Sequence, residues 1–105
     1  MSPTDLAILH EFAARVRQLE PRAQLLAFGS RARGDAHPDS DLDVCVIVPR
    51  RTTELRRAVQ NAAWETGFEH ARVIATVLLE QDDFEAGPMS ASTLVANIRA
   101  EGVAA

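Results

Sequence analysis

Apolar positions along the chain follow two rhythms. Leu6, Ile8, Leu9, Phe12, Ala13, Val16 and Leu19 recur at the three-to-four spacing of one helical face. Ser2-Pro3-Thr4-Asp5 ahead of them has the make-up of a helix start, and Pro21 ends the run. A second helical face holds Leu55, Ala58, Val59, Ala62 and Ala63, opened by Thr52 or Thr53 and closed at Gly67. A last one, with Leu94, Val95 and Ile98, is capped by Ser90 or Ser92 and stops at Gly102. Between these lie dense apolar runs of strand length: residues 24–28 (QLLAF), 41–48 (DLDVCVIV, closed by Pro49) and 72–79 (RVIATVLL). Single helical turns fit SRAR after Gly29 and residues 81–85, and GDAHPDS, residues 34–40, is a loop. The order helix, strand, short helix, strand, helix, strand, helix predicts an α/β sandwich of at most three layers around a small sheet. Nothing repeats and no linker interrupts it, so residues 1–105 read as one domain.

Charge narrows the function classes. The formal net charge is -4 and the pI about 5.3, which argues against general nucleic-acid binding through phosphate contacts. All eleven basic residues are arginine, a pattern that compositional bias explains. The single cysteine, Cys45, can form no disulfide within the chain and no cysteine-based zinc site; inside DVCVIV it reads as a small core residue. No basic stretch leads into a long apolar one, and no segment reaches membrane-spanning length. A soluble, cytoplasmic protein without a membrane partner is the expectation.

The chemistry is concentrated in FGSRARGDAHPDSDLDVCVIV, residues 28–48. Successive strand side chains alternate, so Asp41 and Asp43 share one face while Leu42 and Val44 point into the core. Two adjacent carboxylates repel and raise the pKa of one of them. A divalent cation removes the conflict, and Mg²⁺ is commonly held by one or two carboxylates together with substrate phosphates. Upstream, Gly29 lets backbone approach a ligand, and Ser30 offers a hydroxyl and an N–H at the start of a helical turn. Arg31 and Arg33 add positive charge, and Gly34 permits the following turn. Since neighbouring strands lie about 5 Å apart, Gly29-Ser30 and Asp41-x-Asp43 can face one cavity that takes a metal and a polyphosphate.

Gly29-Ser30, ten residues, then Asp41-Leu42-Asp43 resembles the signature of the DNA polymerase β-like nucleotidyltransferase superfamily. More narrowly, GSRARGDAHPDSDLDVCVIV resembles the minimal nucleotidyltransferases of bacteria and archaea, and the likeness spans nearly the whole chain in element order. The resemblance implies a nucleotidyltransferase fold, a small mixed sheet of three or four strands flanked by helices. It implies binding of a nucleoside triphosphate with Mg²⁺ and transfer of a nucleoside monophosphate, AMP from ATP foremost, to a hydroxyl of a protein or small molecule. It also implies a toxin–antitoxin setting with a HEPN-domain protein as partner, and it leaves self-association open. Carried over by position, Gly29 and Ser30 would hold the β- and γ-phosphates, Arg33 would support them, and Asp41 and Asp43 would be the catalytic ligands of a two-metal site.

One element departs from the family pattern. Active members carry a third carboxylate on the next core strand, which here is RVIATVLL, with Ala75 or Thr76 where the acid belongs and Glu69 and Glu80 only flanking. Two readings stay open: an enzyme whose third ligand comes from elsewhere, or a degenerate module of the same fold that neutralises a partner by contact. Weaker features read blandly. His37 is an exposed loop residue and Trp64 packs in the core or an interface. Arg50-Arg51 and Arg56-Arg57 form a solvated helix start, and Asp82-Asp83 with Glu85 suit the dipole of a first helical turn.

Overall fold

The computed structural model describes every residue from Met1 to Ala105. Helix α1 (Pro3–Leu19) starts where Ser2 Oγ accepts the Asp5 N–H at 3.1 Å, and it buries Ile8, Leu9, Phe12, Ala13 and Val16. Leu19, at the end of the predicted face, is exposed. Strand β1 (Gln24–Phe28) runs directly into the one-turn helix α2 (Gly29–Arg33). Strand β2 spans Leu42–Val48, so Asp41 is the last loop residue rather than the first of the strand.

Helix α3 (Thr53–Glu69) is capped by Thr52, whose Oγ1 accepts the Leu55 N–H at 3.0 Å. Gly67 does not end it. The helix continues to Glu69, and Gly67 is small for a packing reason: a Cβ there would lie 2.4 Å from the Arg72 carbonyl oxygen. The residue with positive φ after the helix is Ala71, at 52°. Strand β3 (Ile74–Glu80) begins two residues later than the apolar run suggested. Helix α4 (Gln81–Glu85), a 3₁₀ turn (Pro88–Ala91) and helix α5 (Thr93–Glu101, capped by Ser92) follow. Strand β4 (Val103–Ala104) was not expected, because two residues carry no alternation to read.

The sheet is mixed, with strand order β3-β2-β1-β4. Strand β1 is antiparallel to both β2 and β4, whereas β2 and β3 are parallel and joined through α3. The expected small mixed sheet flanked by helices is therefore the observed one. Strand β2 lies inside it, which is why its run is apolar on both faces. Leu42, Val44, Val46 and Val48 join the core under α1 and α3, and Cys45 and Ile47 pack with Leu79, Val95 and Ile98 on the α5 side. Each large side chain so buried contributes roughly 1.5–3 kcal/mol. The Cys45 thiol is pushed up to about 12 by burial, consistent with a packing role.

One buried ion cluster locks the segment 34–40 to this frame. The Arg31 guanidinium is 7 % exposed and Asp5 3 %. Arg31 donates to Asp5 Oδ2 at 3.2 Å, to the Ser40 carbonyl at 2.7 Å and to the Pro38 carbonyl at 2.9 Å. Arg72 donates to the other oxygen of Asp5 at 2.9 Å. No buried side-chain nitrogen or oxygen lacks a partner. No helix is long and apolar enough to cross a membrane.

Candidate functional site

The β1–β2 register sets the site. Phe28 pairs with Asp43, so Gly29 follows β1 directly beside the Asp43 carboxylate. Gly29 has φ 77°, and a Cβ on it would stand 2.5 Å from Asp43 Oδ2. Both facts require glycine: the dihedral disfavours an L side chain, and the space is filled by the carboxylate. Ser30, half-buried, is the second residue of α2, and its carbonyl accepts the Gly34 N–H at 2.9 Å. Gly34 closes the turn at φ 85° with open space around it, so there the need is conformational alone.

Asp43 is half-buried and Asp41 exposed, whereas Leu42 and Val44 are fully buried. Burial first, and the charge of Asp41 second, push the Asp43 carboxyl above its ordinary value, while Arg33 pulls it back. A carboxyl whose ionisation burial and a second carboxylate make less favourable fits a divalent cation. Gly29, Asp41 and Asp43 thus lie together, and Ser30 follows Gly29 as the next residue of α2. Arg33 is on the same side, its guanidinium donating to Asp35 Oδ2 at 3.2 Å and to Glu101 Oε2 at 3.0 Å. Arg31 does not converge with them: it turns to α1 and supports the fold.

The parallel β2–β3 register answers where the third carboxylate would stand. Asp43 is level with Ala75 and Val44 with Thr76, so Ala75 occupies the neighbouring position on the Asp43 face and Thr76 belongs to the other. Neither flanking acid replaces it. Glu80 is level with Val48, five residues and about 16 Å along the strand, and its carboxylate accepts the Arg51 N–H at 3.0 Å. Glu69 ends α3 and is held by both its oxygens on Arg15, at 2.9 and 2.8 Å.

Glu101 is the residue that sequence reasoning missed. It is the last residue of α5, and its Oε2 accepts the Gly29 N–H at 2.9 Å as well as the Arg33 guanidinium. It lies 72 positions from Gly29, so no local motif could announce it.

Two other features lie away from this corner. Trp64 and Phe68 stack at 5.2 Å on α3 and stay 68 % and 73 % exposed, so Trp64 is not a core residue. With Val73, Ile74 and Thr76 they line a groove of about 580 Å³. Glu11, Glu69 and His70 also gather, with ligand atoms within 4.8 Å of one another. His70 is hydrogen-bonded to Glu11 and holds its carboxyl below the ordinary value. Arg15 pairs with both carboxylates, so this group is an ion-pair network on the far face.

The profile of the nucleotidyltransferase domain family matches residues 9–100. No curated protein matches the chain. Among solved structures, a toxin–antitoxin complex with AMP-PNP is similar at 19% identity and TM-score 0.61, covering 90% of this chain and 69% of the other. A mutant of the toxin–antitoxin MntA–HpeT altered at two aspartates is similar at 17% identity and TM-score 0.60, with the same coverage. A provisionally assigned nucleotidyltransferase from Sulfolobus solfataricus is similar at 17% identity and TM-score 0.55, covering 96% of this chain and 78% of the other. With the mixed sheet, the Gly29-Ser30 turn closed onto Asp43 and a family profile that runs from α1 through β1, β2 and β3 into α5, the chain belongs to the nucleotidyltransferase domain family.

Proposed function

We propose that this chain binds a nucleoside triphosphate, ATP foremost, with Mg²⁺ at the Gly29–Asp43 corner. It transfers the nucleoside monophosphate to a hydroxyl of a partner protein in a toxin–antitoxin pair. The observation that carries this reading is the 2.5 Å approach of the Asp43 carboxylate to the position a Gly29 Cβ would take. It brings the backbone that would seat phosphate and the carboxylates that would hold a cation into one place. Asp41 and Asp43 would hold the metal, which when bound neutralises phosphate charge and polarises the phosphoryl oxygens. Gly29 and Ser30 would hold the terminal phosphates, with Arg33 supporting them.

In the transfer, the acceptor oxygen bonds to the α-phosphorus, the bond to pyrophosphate breaks, and the hydroxyl proton leaves to a base. Ala75 cannot be that base or a metal ligand, so the acceptor's own surroundings must supply what the neighbouring strand lacks. The toxin–antitoxin identity of two similar structures, one with AMP-PNP and one altered at two aspartates, supports the setting and the nucleotide. A HEPN-domain toxin is the partner that the resemblance implies.

Ala75 favours a second reading as well, in which the chain is a catalytically degenerate module of the same fold that neutralises its partner by contact. Calorimetric titration of ATP, with and without Mg²⁺, into wild type and Asp41→Ala/Asp43→Ala tests the nucleotide site. Binding that needs Mg²⁺ and is lost in the double variant is expected; silence in wild type with ATP, GTP, CTP and UTP would sink the first reading and favour the contact module. ATP labelled at the α-phosphorus, added to the chain with its co-expressed partner, then separates the two. Label on the partner means transfer, and binding without label means contact.

A further inference from the structure

The phosphate-facing donors of the corner are already engaged by an anion of the chain itself. Glu101 Oε2 lies 2.9 Å from the Gly29 nitrogen and 3.0 Å from an Arg33 guanidinium nitrogen. These are the backbone N–H and the cation that a triphosphate would need under the function proposed above. A carboxylate and a phosphate oxygen accept the same hydrogen bonds, so both cannot hold these two donors at once.

The placement of Glu101 is not one that its own helix favours. It is the last residue of α5, where the negative end of the macrodipole repels a carboxylate. What retains it are the Gly29 N–H and Arg33, and its side chain is only 19% exposed. The chain on either side is held as well. The Gly102 N–H donates to the Ile98 carbonyl at 2.8 Å, and a Cβ on Gly102 would lie 2.5 Å from that oxygen. Directly after it, β4 pairs with Leu26 and Ala27 of β1, and the Ala105 N–H donates to the Leu25 carbonyl at 3.1 Å. The last turn of α5 and β4 therefore form a short arm clasped to the strand that ends at Gly29.

We propose that Glu101 is a built-in competitor for the triphosphate: it occupies the Gly29 N–H and Arg33 in the free protein, and nucleotide binding turns it out and loosens the α5–β4 arm. This inference rests on the nucleotide reading of the corner. The competition lowers apparent affinity by the fraction of molecules in which the donors are free. Coupling is reciprocal, so whatever holds the arm in place weakens nucleotide binding by the same factor by which nucleotide loosens the arm.

The test is calorimetric titration of ATP with Mg²⁺ into wild type, Glu101→Gln and Glu101→Ala, with amide hydrogen exchange of residues 102–105 followed with and without nucleotide. Glu101→Gln keeps the size of the side chain and the ability to accept from Gly29 while removing its charge, so it guards against a fold defect in Glu101→Ala. Both variants are expected to bind on the order of ten-fold tighter than wild type. In wild type, exchange at 102–105 should speed up on nucleotide binding. Affinity unchanged or weakened in both variants, or an arm whose exchange slows or stays constant, would overturn the competitor role while leaving the nucleotide site standing. No binding of any nucleoside triphosphate to wild type or to either variant would overturn the nucleotide reading and this inference with it.

Discussion

The two faces of the sheet are built to different ends. Under α1 and α3, a core that includes Phe12, Leu42, Val44, Val46 and Val59 is closed, and the charge it contains, Asp5 between Arg31 and Arg72, is fully paired. On the α5 side the core is smaller, and at its edge Asp43 sits half-buried with its ionisation disfavoured. The two arginines of SRAR divide between these faces. Residues two apart on a helix point nearly opposite ways, so Arg31 enters the closed side and Arg33 remains at the open one. One face uses paired charge to hold the chain together; the other leaves the Asp43 carboxyl beside Asp41, its ionisation made less favourable by burial.

The comparison breaks most sharply at Asp5. Asp5→Ala leaves two guanidiniums, one of them buried, without their carboxylate, and should cost about 3–5 kcal/mol. That is a large share of the roughly 5–15 kcal/mol that stabilises a domain. Arg33→Met, on the open face, should leave stability close to that of wild type, because its ion pairs are exposed to solvent. Urea denaturation of both variants checks the contrast, and equal midpoints would show that the ion cluster is no anchor.

Gly29→Ala comes next. It places an L residue at φ 77° and a methyl against Asp43 Oδ2, for a loss of about 2 kcal/mol in stability. Mg²⁺-dependent nucleotide binding should disappear with it, because the carboxylate has to move. Gly34→Ala provides the control, since it has the positive φ without the clash; it should lose stability but keep binding. Thermal melts and titrations separate the two effects.

Asp43→Asn has the smallest effect on stability and the opposite sign. The folded-state pKa of Asp43 lies above its unfolded value, so the folded state binds more protons between the two. The resulting cost is absent below the unfolded pKa and complete above the folded one. The variant should therefore melt slightly above wild type at neutral pH, and the gap should close as pH falls through that acid window. Binding of Mg²⁺ with nucleotide should be abolished. A lower melting temperature would show that the Asp43 charge stabilises the fold.

Much of this was legible in the sequence. The helix start at residues 2–5, the cap pairs Thr52 or Thr53 and Ser90 or Ser92, of which Thr52 and Ser92 serve, and the apolar faces of α1, α3 and α5 stood out because local spacing and local hydrogen bonding decide them. The Gly-Ser turn and the Asp-x-Asp pair stood out because their members are close in sequence and chemically out of place at a buried strand. What was missed shares one cause. Arg31 looked like Arg33, and nothing nearby said that Asp5 and Arg72 would claim it. Of the two places read for Trp64, core or interface, the core half fails, since the residue stands exposed beside Phe68 on α3. Gly67 looked like a helix end, but it is small so that the Arg72 backbone can pass.

By itself the sequence determined the order of elements up to α5, the type of fold, and the turn and strand start at which two carboxylates stand. These follow from short-range rules, a repeat of 3.6 or 2 and the hydrogen bonds of adjacent residues. Only the tertiary structure decided that Ala75, not Thr76, lies level with Asp43, that Glu80 is a strand's length away, and that Glu101 reaches the Gly29 N–H. Strand register and the meeting of residues distant along the chain are set by the packing of the whole core, and no local pattern carries them.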